Sequence, residues 1–419
     1  IKPGDRIIAI DSVETAGLEI KEIRSLMRGP AGSLIDLRIH RPGDREYHIV
    51  TKRDEVRVKA IPHYAMISQN VGYIRLLRFS AGCYKELMAA IAALKKQGME
   101  SLVFDLRDNP GGLLSEAIDV SGAFLPVNSI IVEARGRRES IKGLYVSQDP
   151  PLFSSGGLVI LVDSQTASAA EIVAGAVQDH DRGVVVGTET YGKGLVQQIL
   201  KLSEQSALKI TASKYYLPAG RCLQKPDWST FELVSENITP PAEQIFMTDS
   251  GRPVFSGGGI LPDVYLDEKT ESAFVEALKK ESFFFDFATA YIKDNQVEPE
   301  LEIDENIMLD FKEFVEKSDF RFEEKDRTAF DDFKDNFMAP DSESEDAMEI
   351  LDQKLQSKEQ WFFDSNYLEI ADNLEESILL QAFGEENIYD IWISKQPQIA
   401  EAVNILSDLQ KYNSILAQR

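Results

Sequence analysis

Residues 157–180, GLVILVDSQTASAAEIVAGAVQDH, decide how this chain is read. The run Leu158–Val162 is apolar at every position, as in a strand buried on both faces of a sheet. A short polar stretch follows, and Ile172–Val177 then continues as an apolar helix. Ser168 stands at the mouth of that helix, with Glu171 three residues on. Ser-x-x-Glu before an apolar run is a capping box, so locally it predicts a helix start and nothing more. Thr166 is a second candidate cap. A serine in this place is also exposed where free helix amides favour negative charge.

Working outward, VGYIRLLRF (71–79) reads as a strand and CYKELMAAIAALKKQG (83–98) as a helix closed by Gly98. ESLVFDL (100–106) is a strand that ends in the turn DNPGG (108–112), and LLSEAIDVSGAFL (113–125) is helical. GVVVGTE (183–189) supplies another strand. Strands alternating with helices predict crossovers and a buried parallel sheet over residues 57–285. LVQQILKLS (195–203) and ALKITASKYYL (207–217) read as an antiparallel pair, and 222–256 as loop-rich. Ahead of this unit, residues 1–56 form a small sheet-rich module. There Ile35, Leu37 and Ile39 share one face of a strand and Asp36, Arg38 and His40 the other. Residues 286–419 are acidic and aromatic, with helices expected at 308–317, 328–336, 347–359, 369–382 and 398–417; a further helix is expected at 266–278.

A serine needs a base before its hydroxyl attacks a carbonyl. Four histidines are present: His40, His48, His63 and His180. His40 and His48 lie in the small module, and His63 precedes the first core strand at 71–79. His180 falls at the far end of the Ser168 helix, about 18 Å away at 1.5 Å per residue. The other base within the pattern is Lys193, in TETYGKGLVQ (188–197). A lysine acts as a base only when its amine is neutral, which a dry, glycine-lined pocket promotes. Gly192 and Gly194 permit the close backbone approach such a pocket needs. Read alone, GKG is a surface turn. It is no phosphate loop, because the glycine spacing is wrong and no Ser or Thr follows the lysine. Gln197 is placed to orient the lysine amine. Gly111 and Gly112 end a parallel strand, where ligands bind in such sheets. Their amides, with that of Ala169, are candidates for an oxyanion hole. Asp105, Arg107 and Asp108 are expected to brace that loop rather than react.

The bulk numbers exclude several classes. The net charge is −25, and roughly 20 of those units follow residue 290. A nucleic-acid partner, which needs clustered Lys and Arg, is not expected. No histidine or cysteine pair has metal-ligand spacing, so neither a metal nor another cofactor is expected. Cys83 and Cys222 read as two unpaired thiols. No run of 18 apolar residues spans a bilayer. The opening IKPGDRIIAIDS reads as the middle of a domain, so any signal segment or membrane anchor is expected upstream of Ile1.

Taken in order, IKPGDRIIAID, GYIRLLRFS, VFDLRDNPGGLL, DSQTASAAEIVAGAVQDH, VVVGTETYGKGLVQ, KYYLPAGR and GGGILPD resemble the carboxyl-terminal processing peptidases, also called tail-specific proteases. The resemblance covers residues 1 to about 280. It implies an α/β, crotonase-like (ClpP/crotonase-related) protease core at 57–285 and a truncated PDZ domain at 1–56; residues 286–419, beyond it, read from their own pattern as a mostly helical accessory domain. It implies Ser168 as nucleophile, Lys193 as general base, Gln197 as the lysine-orienting residue and Glu171 as a supporting acid. Gly111, Gly112 and Ala169 would form the oxyanion hole. Ala170 departs from the family, which often has a second serine there. The implied activity is a serine endopeptidase cleaving unfolded or C-terminally exposed protein segments, in the bacterial periplasm or on the extracytoplasmic side of the membrane. The C-terminal domain would serve adaptors or self-association. Two alternatives stand beside it: a catalytically silent PDZ scaffold that binds protein C-termini, and a crotonase-like acyl-CoA enzyme.

Overall fold

The computed structural model describes residues 1–41, 46–56, 58–137, 142–203, 206–225, 244–267, 271–318, 320, 322, 325–337 and 342–417. The chain forms two compact units, residues 1–57 with 270–388 and residues 58–269 with 389–419. These units interleave along the sequence, whereas the sequence reading divides it at 56 and 285. Most of the expected loop-rich stretch, residues 226–243, lies outside the described residues.

The first unit opens with an antiparallel sheet in the order Val13–Glu14, Arg6–Ile10, Leu34–His40, Glu46–Lys52. The alternation in its third strand is realised, since Ile35, Leu37 and Ile39 pack with Ile10 into one small core. The rest of the unit is helical. Its core is aromatic: Phe274, Phe283, Phe284, Phe287, Phe311 and Phe363 are all buried, with edge-to-face pairs such as Phe287–Phe311 at 5.3 Å. The helices Glu305–Glu316, Lys325–Asn336, Ser342–Ser365 and Tyr367–Phe383 fall where periodicity predicts them. The helix expected at 266–278 begins later, as Ala273–Lys280, with the Ser272 hydroxyl capping it. Phe283–Asp294 and Glu385–Lys395 are helices the sequence reading did not find. The Phe-Phe-Phe-Asp-Phe run has no clear helical period, and its burial against other helices decides its conformation.

The second unit is built on a six-stranded sheet. Its order is Val264–Tyr265, Val184–Gly187, Leu158–Val162, Ser101–Asp105, Val71–Arg75, His63–Met66. All pairings are parallel except the last, which is antiparallel. One face packs against the helices Cys83–Lys96, Leu114–Gly122 and Ala169–Asp179, burying Leu158, Ile160 and Val162. The opposite face carries Val159 and Leu161. It is covered by Ile393, Ile399, Ala402, Ile405, Leu406 and Ile415 from the end of the chain. The stretch expected as one helix at 398–417 is two, Pro397–Ser407 and Leu409–Leu416. They part at Asp408, whose carboxylate accepts the amides of Gln410 and Lys411 at 3.0 Å. A second, antiparallel sheet runs in the order Leu195–Lys201, Ala207–Tyr216, Ile130–Gly136, Gly143–Val146, which contains the expected pair. Both cysteines are free thiols.

The crotonase-like core expected from sequence is therefore corrected. The core sheet is mixed, a separate antiparallel sheet accompanies it, and one of its faces is closed by helices from the far end of the chain. Removing residues 397–419 would strip that face. Each large side chain so exposed loses about 1.5–3 kcal/mol of burial, against a total stability of about 5–15 kcal/mol. Loss of a cooperative thermal transition, with aggregation, is the expected result in a melting experiment.

Candidate active site

The site grows from the carboxyl ends of two neighbouring parallel strands. Leu158–Val162 ends at Asp163, which is buried and accepts the amides of Gln165 and Thr166 at 3.0 and 2.8 Å. It also accepts the amide of Asp108, from the adjacent strand end, at 2.8 Å. Burial pushes the Asp163 carboxyl up, and these donors only partly offset it. The Thr166 hydroxyl donates to the Leu106 carbonyl at 2.9 Å. The loop that ends in Ser168 is thus tied to the loop that carries Gly111 and Gly112.

Ser168 is the N-cap of the helix Ala169–Asp179, at φ 57° and ψ −113°. Few non-glycine residues adopt positive φ, and such strain costs about 1–3 kcal/mol. Of the two candidate caps, Ser168 and Thr166, Ser168 takes the N-cap position. Its amide donates to Glu171 Oε2 at 2.7 Å. Glu171 is fully buried, and its carboxylate gathers more than the helix start. Oε2 also accepts the Lys193 amide at 2.9 Å. Oε1 accepts the Thr190 hydroxyl at 2.6 Å and the Gly192 amide at 2.7 Å. Burial pushes the Glu171 carboxyl up, and the bonds from Thr190, Lys193, Gly192 and Ser168 offset this only in part. One carboxylate oxygen therefore binds both the Ser168 and the Lys193 backbone.

Gly111 packs directly on the serine turn. A Cβ there would lie 2.7 Å from the Ala167 carbonyl, 2.8 Å from the Ala169 nitrogen and 2.9 Å from the Ser168 Cβ. Asn109 holds the turn in place: its Nδ2 donates to the Leu76 carbonyl at 2.7 Å, its Oδ1 accepts the Gly111 amide at 2.9 Å, and its carbonyl accepts the Ala167 amide at 2.9 Å. The Gly111 amide is thereby used within the loop. Among the described residues, the Gly112 and Ala169 amides have no such partner. Gly112 sits at φ 152° in a bridge with Phe79, and a Cβ on it would meet the Phe79 carbonyl at 2.2 Å. Gly112→Ala is expected to cost about 2–5 kcal/mol through strain and overpacking. A thermal melt checks the stability, and loss of acylation beyond that of an equally destabilised core variant checks the site.

The dry pocket expected around Lys193 is not present. Gly192 and Gly194 are buried but Lys193 is exposed. The glycines press on the segment 223–225, where a Gly194 Cβ would lie 2.6 Å from the Gln224 nitrogen and a Gly192 Cβ 2.7 Å from the Lys225 Cβ. The turn faces inward with its glycines and sends the lysine outward. Gln197 is also exposed, on the strand Leu195–Lys201 beside an irregularity between Val196 and Gln197. Among the described residues, no hydrogen bond or ion pair joins Lys193 to Ser168 or Gln197 to Lys193.

His180 caps the far end of the Ser168 helix, its ring bonded to Asp249 Oδ2 and the Ile130 carbonyl, each at 2.7 Å. No group of acids, histidines and cysteines among the described residues forms a metal site. The sequence carries no signal that marks Thr190, Asn109 and Asp163 as site-building residues. Each is a common loop residue without a spacing signal, and only the tertiary contacts show its work.

The site thus brings together a serine at positive φ at a helix start, a glycine, Gly111, pressed against its turn, and a lysine loop tied to it through Glu171. Residues 70–230 match Peptidase family S41, and residues 274–406 match a family described as "Probable PDZ-protease, C-terminal helical domain". Over these residues the chain is similar to Peptidase family S41 and to carboxyl-terminal processing proteases. It is 39% identical over 226 residues to a carboxy-terminal-processing protease of Bartonella bacilliformis, covering 53% of this chain and 51% of that protein. It is 37% identical over 257 residues to a carboxyl-terminal-processing protease of a Synechocystis species, covering 58% of each. The same family protein of a Picosynechococcus species is 36% identical over 230 residues, 54% of each chain. The chain spans about half the length of the curated relatives it matches. The family match overturns the crotonase-like expectation: the core is an S41-peptidase fold joined to a mostly helical PDZ-protease C-terminal domain.

Proposed function

We propose that this protein is a serine endopeptidase that cleaves protein segments with exposed C-termini, using Ser168 as nucleophile and Lys193 as general base. The observation that carries this reading is the shared Glu171 carboxylate, which binds the Ser168 and Lys193 amides at 2.7 and 2.9 Å. Two residues 25 apart are thereby held at one point while both side chains stay available for chemistry.

In this mechanism a substrate strand lies over the site and covers the Lys193 amine, which then loses its water. The neutral amine takes the Ser168 proton as Oγ attacks the scissile carbonyl. The Ala169 and Gly112 amides receive the oxyanion. Collapse expels the amine, which takes the proton from Lys193, and leaves an ester on Ser168. Water attacks that ester as Lys193 takes its proton; collapse breaks the bond to Ser168 Oγ, which takes the proton back from Lys193, and the carboxylic product leaves. Gln197 positions the lysine once substrate closes the site. The exposure of Lys193 fits a site completed by its substrate.

Residues 1–56 would supply part of a PDZ module, the helical domain a surface for an adaptor or a second copy, and the chain would act on the extracytoplasmic side of a bacterial membrane, in the periplasm. A fluorophosphonate probe followed by peptide mapping tests the reaction class. A single adduct on Ser168 supports the reading, and a chain that stays unlabelled while an unfolded protein is cut would assign the cleavage to another group.

A further inference from the structure

The loop that carries Gly111 and Gly112 is held at its stem by side chains from the end of the chain. Asp105 is fully buried and accepts the Tyr73 hydroxyl at 2.6 Å, Arg107 Nη2 at 2.7 Å and the Arg107 amide at 3.0 Å. Burial opposes its charge, but Arg107 and Arg75 outweigh that and hold the carboxyl below its ordinary range. Arg75 Nη2 donates to Asp108 Oδ2 at 3.1 Å. Asp108 has φ 58°, so it needs external support to keep its conformation. Asp105 and Asp108 offset the repulsion between the two guanidinium groups, but neither carboxylate covers their outer faces. The indole of Trp392 does so, with ring centroid 4.7 Å from the Arg75 guanidinium and 5.5 Å from that of Arg107. Gln396 and Gln398 add acceptors to Arg107 Nη1 at 3.3 and 3.4 Å. None of these three residues has a part in the hydrolysis.

We propose that Trp392, aided by Gln396 and Gln398, is a positioning residue for peptide hydrolysis: it clamps Arg75 and Arg107, fixes Asp108, and so sets the Gly112 amide where the oxyanion forms. This rests on the protease reading of the site. Trp392 also packs against the apolar face that carries Val159 and Leu161, and its hold on the loop runs through the two arginines. Its loss releases Arg75 from Asp108 and lets the turn Asp108–Gly112 relax away from Ser168. A misplacement of about 1 Å at an oxyanion donor costs about 10- to 100-fold in rate.

The test uses the full chain as wild type, Ser168→Ala, Trp392→Ala and Trp392→Phe, with a quenched-fluorescence peptide and amide hydrogen exchange over 106–113. Trp392→Ala is expected to lower kcat about 10- to 100-fold with KM within about twofold, and to speed exchange in 106–113. Trp392→Phe, which keeps a ring face, is expected to recover most of both. Should Trp392→Ala fail to fold, the double variant Gln396→Ala/Gln398→Ala is read in the same way, with a smaller shift in the same direction. A folded variant with unchanged exchange in 106–113, or with faster exchange but unchanged kcat, overturns the clamp. Wild-type turnover equal to that of Ser168→Ala would instead overturn the protease reading, and the exchange measurement separates the two.

Discussion

Ser168→Ala and Lys193→Ala are each expected to lower kcat for cleavage of an unfolded protein by about three orders of magnitude or more, with melting temperatures close to wild type. The structure explains why stability should survive. The tie from Ser168 to Glu171 runs through the serine amide, and the tie from Lys193 through the lysine amide. Alanine keeps both. Losing the serine hydroxyl removes at most a cap contribution of about 1 kcal/mol, and Lys193 is exposed. What each variant lacks is the reacting group. Lys193→Arg should be as inactive as Lys193→Ala, because a guanidinium keeps its proton and cannot serve as a base. Intact-mass analysis of the products from the four proteins checks this. Full activity in folded Lys193→Ala would remove the lysine from the mechanism.

Glu171→Gln should be nearly as damaging, for a different reason. The carboxylate accepts four donors from Ser168, Thr190, Gly192 and Lys193. A glutamine offers one oxygen and turns an NH2 toward donors, so at least two bonds are lost in a fully buried place. A destabilisation of about 2–4 kcal/mol is expected, with kcat falling by about two orders of magnitude as the lysine loop separates from the serine turn. The pH dependence follows from the raised carboxyl. Activity needs the ionised form, which accepts all four bonds, so kcat/KM should fall on acidification at a pH above the ordinary glutamate range. Stability runs the other way. A carboxyl raised in the folded state contributes fully below its unfolded value, and that contribution is lost as pH rises through the folded value. Stability should therefore decline over the window from about 4.5 upward, and Glu171→Gln should lack that decline. Denaturant titrations across the acid range check it, and an acid limb of activity that persists in a folded Glu171→Gln protein would move that limb to another group, with Asp163 the next raised carboxyl in line.

The local reading was sound wherever one chemical rule decides the conformation. An unbroken apolar strand, Leu158–Val162, must be buried on both sides, and it is. Ile35, Leu37 and Ile39 had to share a face, and they form the core of their sheet. Ser168 before an apolar run had to cap a helix. Glycines at 111, 112, 192 and 194 had to sit where other backbone comes close, and each does. The placement of Lys193 went the other way. Gly192 and Gly194 beside it suggest a dry pocket, but those glycines spend their space on residues 223–225, so the side chain points to solvent.

By itself, then, the sequence determined most of the elements of the α/β sheet, the order of its motifs and the residue types able to carry a serine–lysine reaction, because periodicity, capping and glycine conformations act within a few residues. Only the tertiary structure decided what closes the second face of the core sheet, which carboxylate joins Ser168 to Lys193, and which of the two glycines keeps its amide unengaged. It also decided that Trp392, 285 residues past Arg107, lies against the loop beside the serine. Those contacts form between segments far apart in the chain, where the driving force is burial and pairing of charges, and no local pattern of residues encodes them.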